Sequence, residues 1–252
     1  MARSRISVVI PACRAESHVT TAIRSVLEQD CVDVEVIVVV DGRFDATAEV
    51  SAAIPGVRVL VNARREGAQA ARNSGLAAAT ADYVTFLDAD DYIEGPLHRG
   101  MVEALARDRA DIVFGSWVSE DETGGARGRT VRAADFKEEI GSKADLICRW
   151  ITGQNFVSGA VAWRTEGLRR IGGWNADFAR LQDFEVGLRS LALGLRATYT
   201  DAGQLVYVQH RSPHRISRHP TAMLPSRSLM ALLAAEYAKS PDERLRRAIG
   251  SS

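Results

Sequence analysis

The sequence predicts an α/β protein whose mainly parallel sheet is flanked by helices. Two continuous β-branched runs, residues 6–10 and 34–40, are typical of strands that are covered on both faces. Between them, apolar residues recur at helical spacing from Val19 to Leu27 and form one stripe. The order strand, helix, strand implies parallel neighbours joined by right-handed crossovers.

The same alternation continues to residue 117. Residues 57–61 and 83–87 are predicted strands, and the alanine-rich residues 67–79 supply the helix between them. An amphipathic helix begins behind Pro96, because proline is favoured at the start of helices. Residues 112–117 form the fifth predicted strand.

The elements become shorter after a polar, glycine-containing stretch at residues 119–132, which is predicted to be a surface loop. Thr165 is predicted to cap a helix that closes at Gly172 and Gly173. The other predicted elements are helices at residues 143–151, 183–193 and 225–247 and strands at residues 161–164, 196–200 and 205–208. No repeat or linker composition divides the sequence, so residues 1–252 are expected to form one domain.

Composition argues against several classes of protein. The 252 residues include 32 Lys and Arg and 32 Asp and Glu, and this zero net charge disfavours electrostatic capture of nucleic acid. The apolar run that ends at Pro11 is too short for a signal peptide or a membrane span. Three widely spaced cysteines have no metal-ligand or disulfide pattern. We expect a cytoplasmic protein with no transmembrane segment and no nucleic-acid partner.

The strongest candidate for chemistry is the run Asp88, Ala89, Asp90 and Asp91, which directly follows a predicted strand. Ligands of parallel α/β proteins gather at the carboxyl ends of strands. Three carboxylates within four residues repel one another unless a cation neutralises them, and Mg²⁺ or Mn²⁺ accepts such oxygen ligands. The alternative is a solvated acidic turn that caps the next helix.

Two further segments are predicted at the same edge of the sheet. Gly67 opens a helix, and N–H groups at a helix N-terminus can bind phosphate. Arg72 lies just over one turn inside that helix and carries a fork suited to phosphate or a base edge, with an ordinary exposed arginine as the alternative. Asp41, at the end of the second strand, can accept hydrogen bonds from a nucleobase or ribose. Asp45 is expected to cap the next helix.

Four segments in this order resemble glycosyltransferase family 2, whose members have the GT-A fold. They are residues 6–12 with Glu16, Asp41-Gly42 with residues 45–47, Gly67 with residues 71–75, and residues 83–91. The last segment is similar to the strand that ends in the family's Asp-x-Asp metal motif. The resemblance spans residues 5–215. Within it we expect a nucleotide-sugar-binding half at 5–118 and an acceptor-binding half at 135–215, followed by a helix at 225–252.

This resemblance implies an inverting transfer of a sugar from a nucleoside diphosphate sugar, with a UDP-sugar as the expected donor, to a hydroxyl or amine. The residues implied to bind the donor are Pro11, Ala12, Glu16, Asp41, Gly67, Arg72, Asp88 and Ala89. Asp90 would ligate Mn²⁺ or Mg²⁺ directly, whereas Asp88 would contact the ribose or bind the metal through water. The metal would offset charge on the diphosphate leaving group.

The resemblance also implies a single base, located near residues 181–185, where an acidic pair commonly precedes a helix. Gln182 replaces the first acid, which leaves Asp183 as the candidate base, with a helix cap as its alternative role. A helix N-terminus is expected to lower the pKa of this carboxyl. Residues 172–174 resemble the acceptor-side turn, and Trp174 is the one tryptophan predicted to stack on a sugar.

Two segments depart from the family pattern. Val40 takes the place of the first of two usual acids, and Arg43 with Phe44 replaces a small polar pair, so one base contact is expected to be missing. Residues 207–217 resemble the family's C-terminal active-site loop loosely. There, His210 is the candidate third metal ligand, and the alternatives are His214 or a plain surface position.

Two other functions remain as alternatives: a sugar nucleotidyltransferase and a non-catalytic module that binds nucleotide sugars. The first would need a glycine-rich basic loop after the first strand, which residues 11–15 do not supply. The second is disfavoured because metal acids and a base are both present. The acceptor is expected to be a carbohydrate, a lipid-linked molecule or a small molecule. Homodimerisation and peripheral association with a membrane stay open.

Overall fold

A nine-stranded sheet organises the residues that the computed structural model describes, which are 5–29, 33–121, 127–132, 157–178 and 182–210. The predicted helices at residues 143–151 and 225–247 lie outside these ranges, as does His214. The strands are β1 (Arg5–Ala12), β2 (Asp33–Asp41), β3 (Val57–Asn62), β4 (Tyr83–Phe86), β5 (Tyr92–Glu94), β6 (Ile112–Asp121), β7 (Arg127–Val131), β8 (Val161–Arg164) and β9 (Ala197–Gln209). The helices are α1 (Val19–Leu27), α2 (Thr47–Ala52), α3 (Ala68–Ala78), α4 (Leu97–Arg107), α5 (Thr165–Arg170) and α6 (Gln182–Ala192).

The first half of the sheet is parallel, as the sequence predicts. Strands β3, β2, β1 and β4 lie side by side in that order, and each neighbouring pair is parallel. The β-branched runs of β1 and β2 are buried almost throughout, because helices cover both faces of these strands. The carboxyl ends of β1, β2 and β4 therefore lie along one edge of the sheet.

The second half of the sheet is mixed rather than parallel. Strand β8 lies between β4 and β6 and is antiparallel to both, with fully buried Ala162 opposite Thr85 on one side and Val113 on the other. Strand β9 then runs parallel to β6, and β5 pairs antiparallel with β9. Strands from both predicted halves of the chain thus share one sheet.

Three local predictions are wrong. Residues 119–121 and 127–131 form strands rather than a surface loop, because β6 continues to Asp121 and pairs with β7; its buried Glu120 accepts a hydrogen bond from the Tyr92 hydroxyl at 2.8 Å. The two strands predicted at 196–200 and 205–208 are one strand, β9. Thr165 is the first residue of α5 rather than its cap, and its hydroxyl donates to the carbonyl oxygen of Ala81. Strand β5 was not predicted at all.

Close packing of α3 on β1 sets the position of the candidate site. A Cβ atom on Gly75 would lie 2.2 Å from a methyl carbon of Val9, so only glycine lets the helix approach this strand so closely. The approach brings Arg72 and Asn73, on the preceding turn of α3, over the carboxyl ends of the central strands. Within the described ranges every helix falls short of the length and hydropathy that a membrane span requires.

His98 of α4 is a buried group whose charge state is coupled to stability. Its side chain is fully buried, and neither ring nitrogen has a hydrogen-bond partner within the described part of the chain. Burial lowers the pKa of this imidazole to about 4. Between pH 6.5 and 4 the unfolded chain therefore binds a proton at His98 that the folded chain does not bind. The free energy of unfolding falls as the pH is lowered through this window.

We expect His98→Leu to remove this loss of stability in acid. The wild type should lose about 3 kcal/mol more than the variant between pH 7 and pH 4, because each pKa unit corresponds to about 1.36 kcal/mol. Urea unfolding of both proteins at several pH values measures the difference, and the subtraction cancels the other titrating groups. Parallel curves for the two proteins would contradict the assignment.

Candidate active site

The three acids that follow β4 have different environments. Asp91 is buried, and its Oδ1 accepts the N–H of Val208 at 2.9 Å, which fixes the end of β9. Burial, together with the charges of Asp88 and Asp90, raises the pKa of Asp91 well above its usual value. Asp88 and Asp90 are more open, with 35% and 46% of their side chains exposed. Asp91 therefore has a structural role, and two carboxylates face the edge of the sheet.

Asp90 lies beside His210 at the end of β9. Its Oδ2 is 3.4 Å from Nε2 of His210, whose ring centroid lies 4.9 Å from that of His18. Burial, and next the charge of Asp88, raises the pKa of Asp90. The structure therefore places Asp90 in contact with His210 and within electrostatic range of Asp88.

The donor set fits a hard divalent cation that is shared with a phosphate ligand. Across the described residues, His, Cys, Asp and Glu side chains form no group of three or more that could enclose a metal by themselves. Mg²⁺ and Mn²⁺ commonly take one or two protein carboxylates when phosphate oxygens supply the remaining ligands. Asp88 and Asp90 provide that number of partly exposed carboxylates.

Arg72 is buried, so the alternative of an exposed surface arginine is wrong. Its Nη2 donates to Oδ1 of Asp88 at 2.6 Å, and its Nη1 donates to Oε1 of Gln182 at 2.5 Å. The guanidinium carbon lies 4.5 Å from the ring centroid of Trp174. Arg72 thus joins the acids after β4 to the first residue of α6, and its two Nη groups donate to protein atoms.

Trp174 is not exposed, so the prediction that it stacks on a sugar is wrong. Only 2% of the residue is exposed, and its ring packs edge-on against Phe86 and Trp163. Its backbone N–H and carbonyl oxygen each bond to the side-chain amide of Asn73, both at 2.8 Å. The Trp174 ring packs against the Arg72 guanidinium and is not exposed to a ligand.

Asp183 is the second residue of α6, close to Arg72. Its Oδ1 is inaccessible to solvent and has no hydrogen-bond partner among the described residues. Burial raises its pKa to about 6, an effect that Asp88 reinforces and that Arg72 and Ser158 oppose. The expectation of a lowered pKa is wrong, because desolvation outweighs the helix N-terminus. A carboxyl with this pKa is a stronger base than a free aspartate.

Asp41 is committed to the loop that follows β3. The residue is 97% buried, and its two carboxylate oxygens accept the N–H groups of Glu66 and Gly67, both at 2.8 Å, and the side-chain amide of Asn62 at 3.1 Å. Gly67 has φ of +98° and precedes α3, which confirms that it opens a helix. Its N–H group is directed at Asp41.

Glu16 and Asp45 link the loop after β1 to the loop after β2 through hydrogen bonds between side chains and backbone N–H groups. Glu16 Oε2 accepts the N–H of Ala46 at 3.0 Å, and the N–H of Glu16 donates to Oδ2 of Asp45 at 3.2 Å. The other oxygen of Asp45 accepts the N–H of Thr47, the first residue of α2. The cap residue of α2 is Ala46, so the prediction that Asp45 caps this helix is wrong by one residue. Among the other residues implied to bind the donor, Ala12 and Ala89 are buried and Pro11 is half-buried.

Several positioning residues were missed by the sequence analysis. Glu185 of α6 is buried and binds Arg189 one turn later through both carboxylate oxygens, at 2.6 and 3.0 Å. Arg189 also donates to the carbonyl oxygens of Ile171 and Gly173. The i, i+4 spacing of Glu185 and Arg189 is the sequence signal for this pair. Together with Asn73, the pair fixes the turn that leads into Trp174.

Comparisons with known proteins identify the relatives of this fold. A family model described as "Glycosyl transferase family 2" matches residues 7–172, which is more than half of the chain. GlyG, a glycosyltransferase of Streptococcus pneumoniae serotype 4, is 30% identical over 159 residues. The aligned region covers 62% of this chain and 53% of GlyG, so the chain spans about half the length of this relative.

Two solved structures share the architecture. S. aureus TarS 1–349 in complex with UDP-GlcNAc superposes with a TM-score of 0.72 at 18% identity, over 91% of this chain and 66% of that one. Mannosyltransferase PcManGT from Pyrobaculum calidifontis, in complex with GDP-Man and Mn²⁺, gives a TM-score of 0.68 at 19% identity, over 99% of this chain and 69% of that one. At these identities the likeness establishes the fold, and it confirms the GT-A prediction.

The raised pKa of Asp183 implies that its charge destabilises the folded chain at neutral pH. The folded state holds a proton that the unfolded state releases between pH 3.8 and about 6, so stability falls as the pH rises through that window. We expect Asp183→Asn to raise the free energy of unfolding at pH 7 by about 2 kcal/mol, less than the full shift because the side chain is partly exposed.

A matched control is Glu185→Gln, the same chemical change two residues along α6. It should lower the free energy of unfolding by about 3 kcal/mol, because it leaves the partly buried Arg189 without its anionic partner. Urea unfolding at pH 7 measures both variants. If Asp183→Asn destabilises the protein as Glu185→Gln does, the Asp183 carboxylate is stabilised by its site and our account of it is wrong.

Proposed function

We propose that this chain, which belongs to glycosyl transferase family 2, moves a sugar from a UDP-sugar to an acceptor hydroxyl or amine with inversion at the anomeric carbon. The family match supports glycosyl transfer as the reaction class. The observation that carries the finer proposal is the Arg72 cluster, in which the guanidinium donates to the proposed donor-side acid Asp88 and acts through its charge on the candidate base Asp183. The acid proposed for the donor and the base proposed for the acceptor thus lie around one buried cation.

A divalent cation is part of this proposal. Asp88 and Asp90 would hold Mn²⁺ or Mg²⁺, with His210 next to Asp90 as a further nitrogen donor. When bound, the ion offsets negative charge on the diphosphate leaving group. The complex of PcManGT with GDP-Man and Mn²⁺ supports a metal in a protein of the same fold.

The protein's own residues account for the proton and the geometry of the transfer. The acceptor oxygen or nitrogen forms a bond to the anomeric carbon while the bond from that carbon to the diphosphate breaks, and Asp183 accepts the acceptor's proton. A single displacement of this kind inverts the carbon and needs only one base. With its pKa at about 6, Asp183 is ionised at pH 7 and still basic enough to take the proton late in the reaction.

Arg72 positions the two carboxylates on which the transfer depends. It donates directly to Asp88 and stabilises the ionised form of Asp183 through its charge. Because the guanidinium is buried and packs on the Trp174 ring, Asp88 cannot move far without leaving a buried charge unpaired. We expect this fixed arrangement of side chains to speed the transfer step by holding the reacting groups in the correct orientation.

The proposed base is tested by Asp183→Asn in an assay that follows UDP release from UDP-sugars with Mn²⁺ and a panel of carbohydrate, lipid-linked and small-molecule acceptors. The variant should lose at least a hundredfold in kcat, the usual contribution of a general base, with the donor KM little changed. In the wild type kcat should fall as the pH is lowered below about 6, because Asp183 must be ionised. Transfer at the wild-type rate by the variant would remove Asp183 from the mechanism.

The proposed metal site is tested by Asp90→Ala against Glu103→Ala, an exposed acid on α4 far from the site. Asp90→Ala should abolish Mn²⁺-dependent transfer and weaken Mn²⁺-dependent binding of UDP, with the unfolding midpoint retained. Glu103→Ala should behave as wild type in both measurements. Isothermal titration with and without Mn²⁺ gives the affinities. Equal UDP affinity in Asp90→Ala and wild type would show that this carboxylate holds no metal.

A further inference from the structure

His18 lies at the start of α1, where its side chain contributes nothing to the helix cap. It is the N-cap residue, yet its side chain makes no capping hydrogen bond, and histidine is not among the residues favoured at this position. The backbone at His18 is nevertheless fixed, because its N–H donates to the carbonyl oxygen of Ala15 at 3.0 Å and the next residue, Val19, is fully buried. The imidazole is therefore available for a role outside the helix.

The loop that carries His18 is anchored to α2 and to the loop after β2. The N–H of Ala15 donates to the Thr47 hydroxyl at 2.9 Å. The hydrogen bonds that Glu16 makes with residues 45 and 46 join the same loop to the end of β2. The start of α1 therefore has a fixed position relative to the carboxyl ends of β1 and β2.

The imidazole of His18 packs against the imidazole of His210. The ring centroids are 4.9 Å apart and the ring planes are inclined by 51°, a separation at which tilted aromatic rings attract each other. His210 directly follows β9, whose end is held by the hydrogen bond from the N–H of Val208 to Asp91. A side chain at the end of a strand has several staggered rotamers to choose from. The His18 ring lies on one side of the His210 ring and limits that choice.

The contact between the two rings places His210 beside the proposed metal ligand Asp90. Nε2 of His210 lies 3.4 Å from Oδ2 of Asp90. Burial and the charge of Asp88 raise the pKa of Asp90, whereas the charges of His210 and His18 lower it, so both imidazoles act on this carboxylate. The described His, Cys, Asp and Glu side chains form no group of three that could enclose a metal. We therefore assign His18 to the orientation of His210 and not to the ligand set.

We propose that His18 is a positioning residue for the metal site, whose ring packs on the ring of His210 and holds that imidazole toward the cation that Asp88 and Asp90 would bind. The inference rests on the proposed function and adds to it a residue that is not itself a ligand. Groups that orient a metal-binding imidazole are usually hydrogen-bond partners of its other nitrogen, and their loss typically weakens metal binding about tenfold to a hundredfold. Here a packed ring supplies the restraint.

The test measures the Mn²⁺ affinity of the UDP complex from the EPR signal of free Mn²⁺, so it requires neither an acceptor nor turnover. His18→Ala should weaken Mn²⁺ binding about tenfold, because the His210 ring loses its restraint. His18→Phe should bind Mn²⁺ as the wild type does, since a phenyl ring can pack on His210 but cannot ligate a metal. Thr21→Ala, which alters an exposed side chain in the first turn of α1, should also match the wild type.

A double-mutant cycle determines whether His18 acts through His210. His210→Ala should weaken Mn²⁺ binding by itself. Adding His18→Ala to that variant should cause no further loss, because the ring to be positioned is already gone. A general disturbance of the loop after β1 would instead weaken binding in both backgrounds. Thermal unfolding of the metal-free variants checks that the fold is retained.

Contrary outcomes separate this inference from the proposed function. Wild-type Mn²⁺ affinity in His18→Ala overturns the inference, as does an equal loss in His18→Phe, which would mean that a ring nitrogen of His18 is required. A further loss in the double variant, or unchanged affinity in His210→Ala, also overturns it. Each of these results leaves transfer with Asp88 and Asp90 intact. A wild type whose UDP complex binds no Mn²⁺ overturns the metal site of the proposed function and this inference together.

Discussion

The buried guanidinium of Arg72 is the constraint on which the rest of the site depends. A cation taken out of water is tolerated only when anions and acceptors surround it. Here they come from three parts of the chain: Asp88 after β4, Gln182 at the start of α6, and the face of Trp174. Because Asn73 on the same helix also bonds to the backbone of Trp174, the turn at residues 172–174, the acids after β4 and the start of α6 are linked through α3.

The charge balance around Arg72 explains why glutamine at position 182 matters. One guanidinium faces two carboxylates, Asp88 by direct contact and Asp183 through space, and burial already favours the protonated form of Asp183. A glutamate at position 182 would add a third negative charge beside the same cation and would raise the pKa of Asp183 further. Gln182 keeps the hydrogen bond to Arg72 without that charge, so Asp183 stays ionised at neutral pH.

The sequence was sufficient for features that depend on local pattern and insufficient for those that depend on distant contacts. Strands β1 to β4 and helices α1 and α3 follow from β-branched runs and helical periodicity, and the acids after β4 follow from their position. Strand β8 pairs with β4 although the two strands are about eighty residues apart in the sequence. No local sequence pattern predicts such a pairing. Trp174 and Asp183 were misjudged for a related reason, since their burial comes from packing between α3, α5 and α6.

The acids of this site fall into two groups according to their hydrogen bonds. Some are fully bonded to the protein and hold its structure, whereas others keep an oxygen that a ligand can reach or bond to. Asp41, Asp45 and Asp91 are the same residue type at the same edge, yet each accepts backbone N–H groups and therefore holds a loop, a helix end or a strand. Asp88 gives one oxygen to Arg72, Asp90 is open, and Asp183 retains a buried oxygen with no partner among the described residues. A buried oxygen without a hydrogen bond lowers the stability of the folded protein. Its retention beside a paired cation is physically reasonable where a substrate proton is to be bound, because the ligand then supplies the missing hydrogen bond.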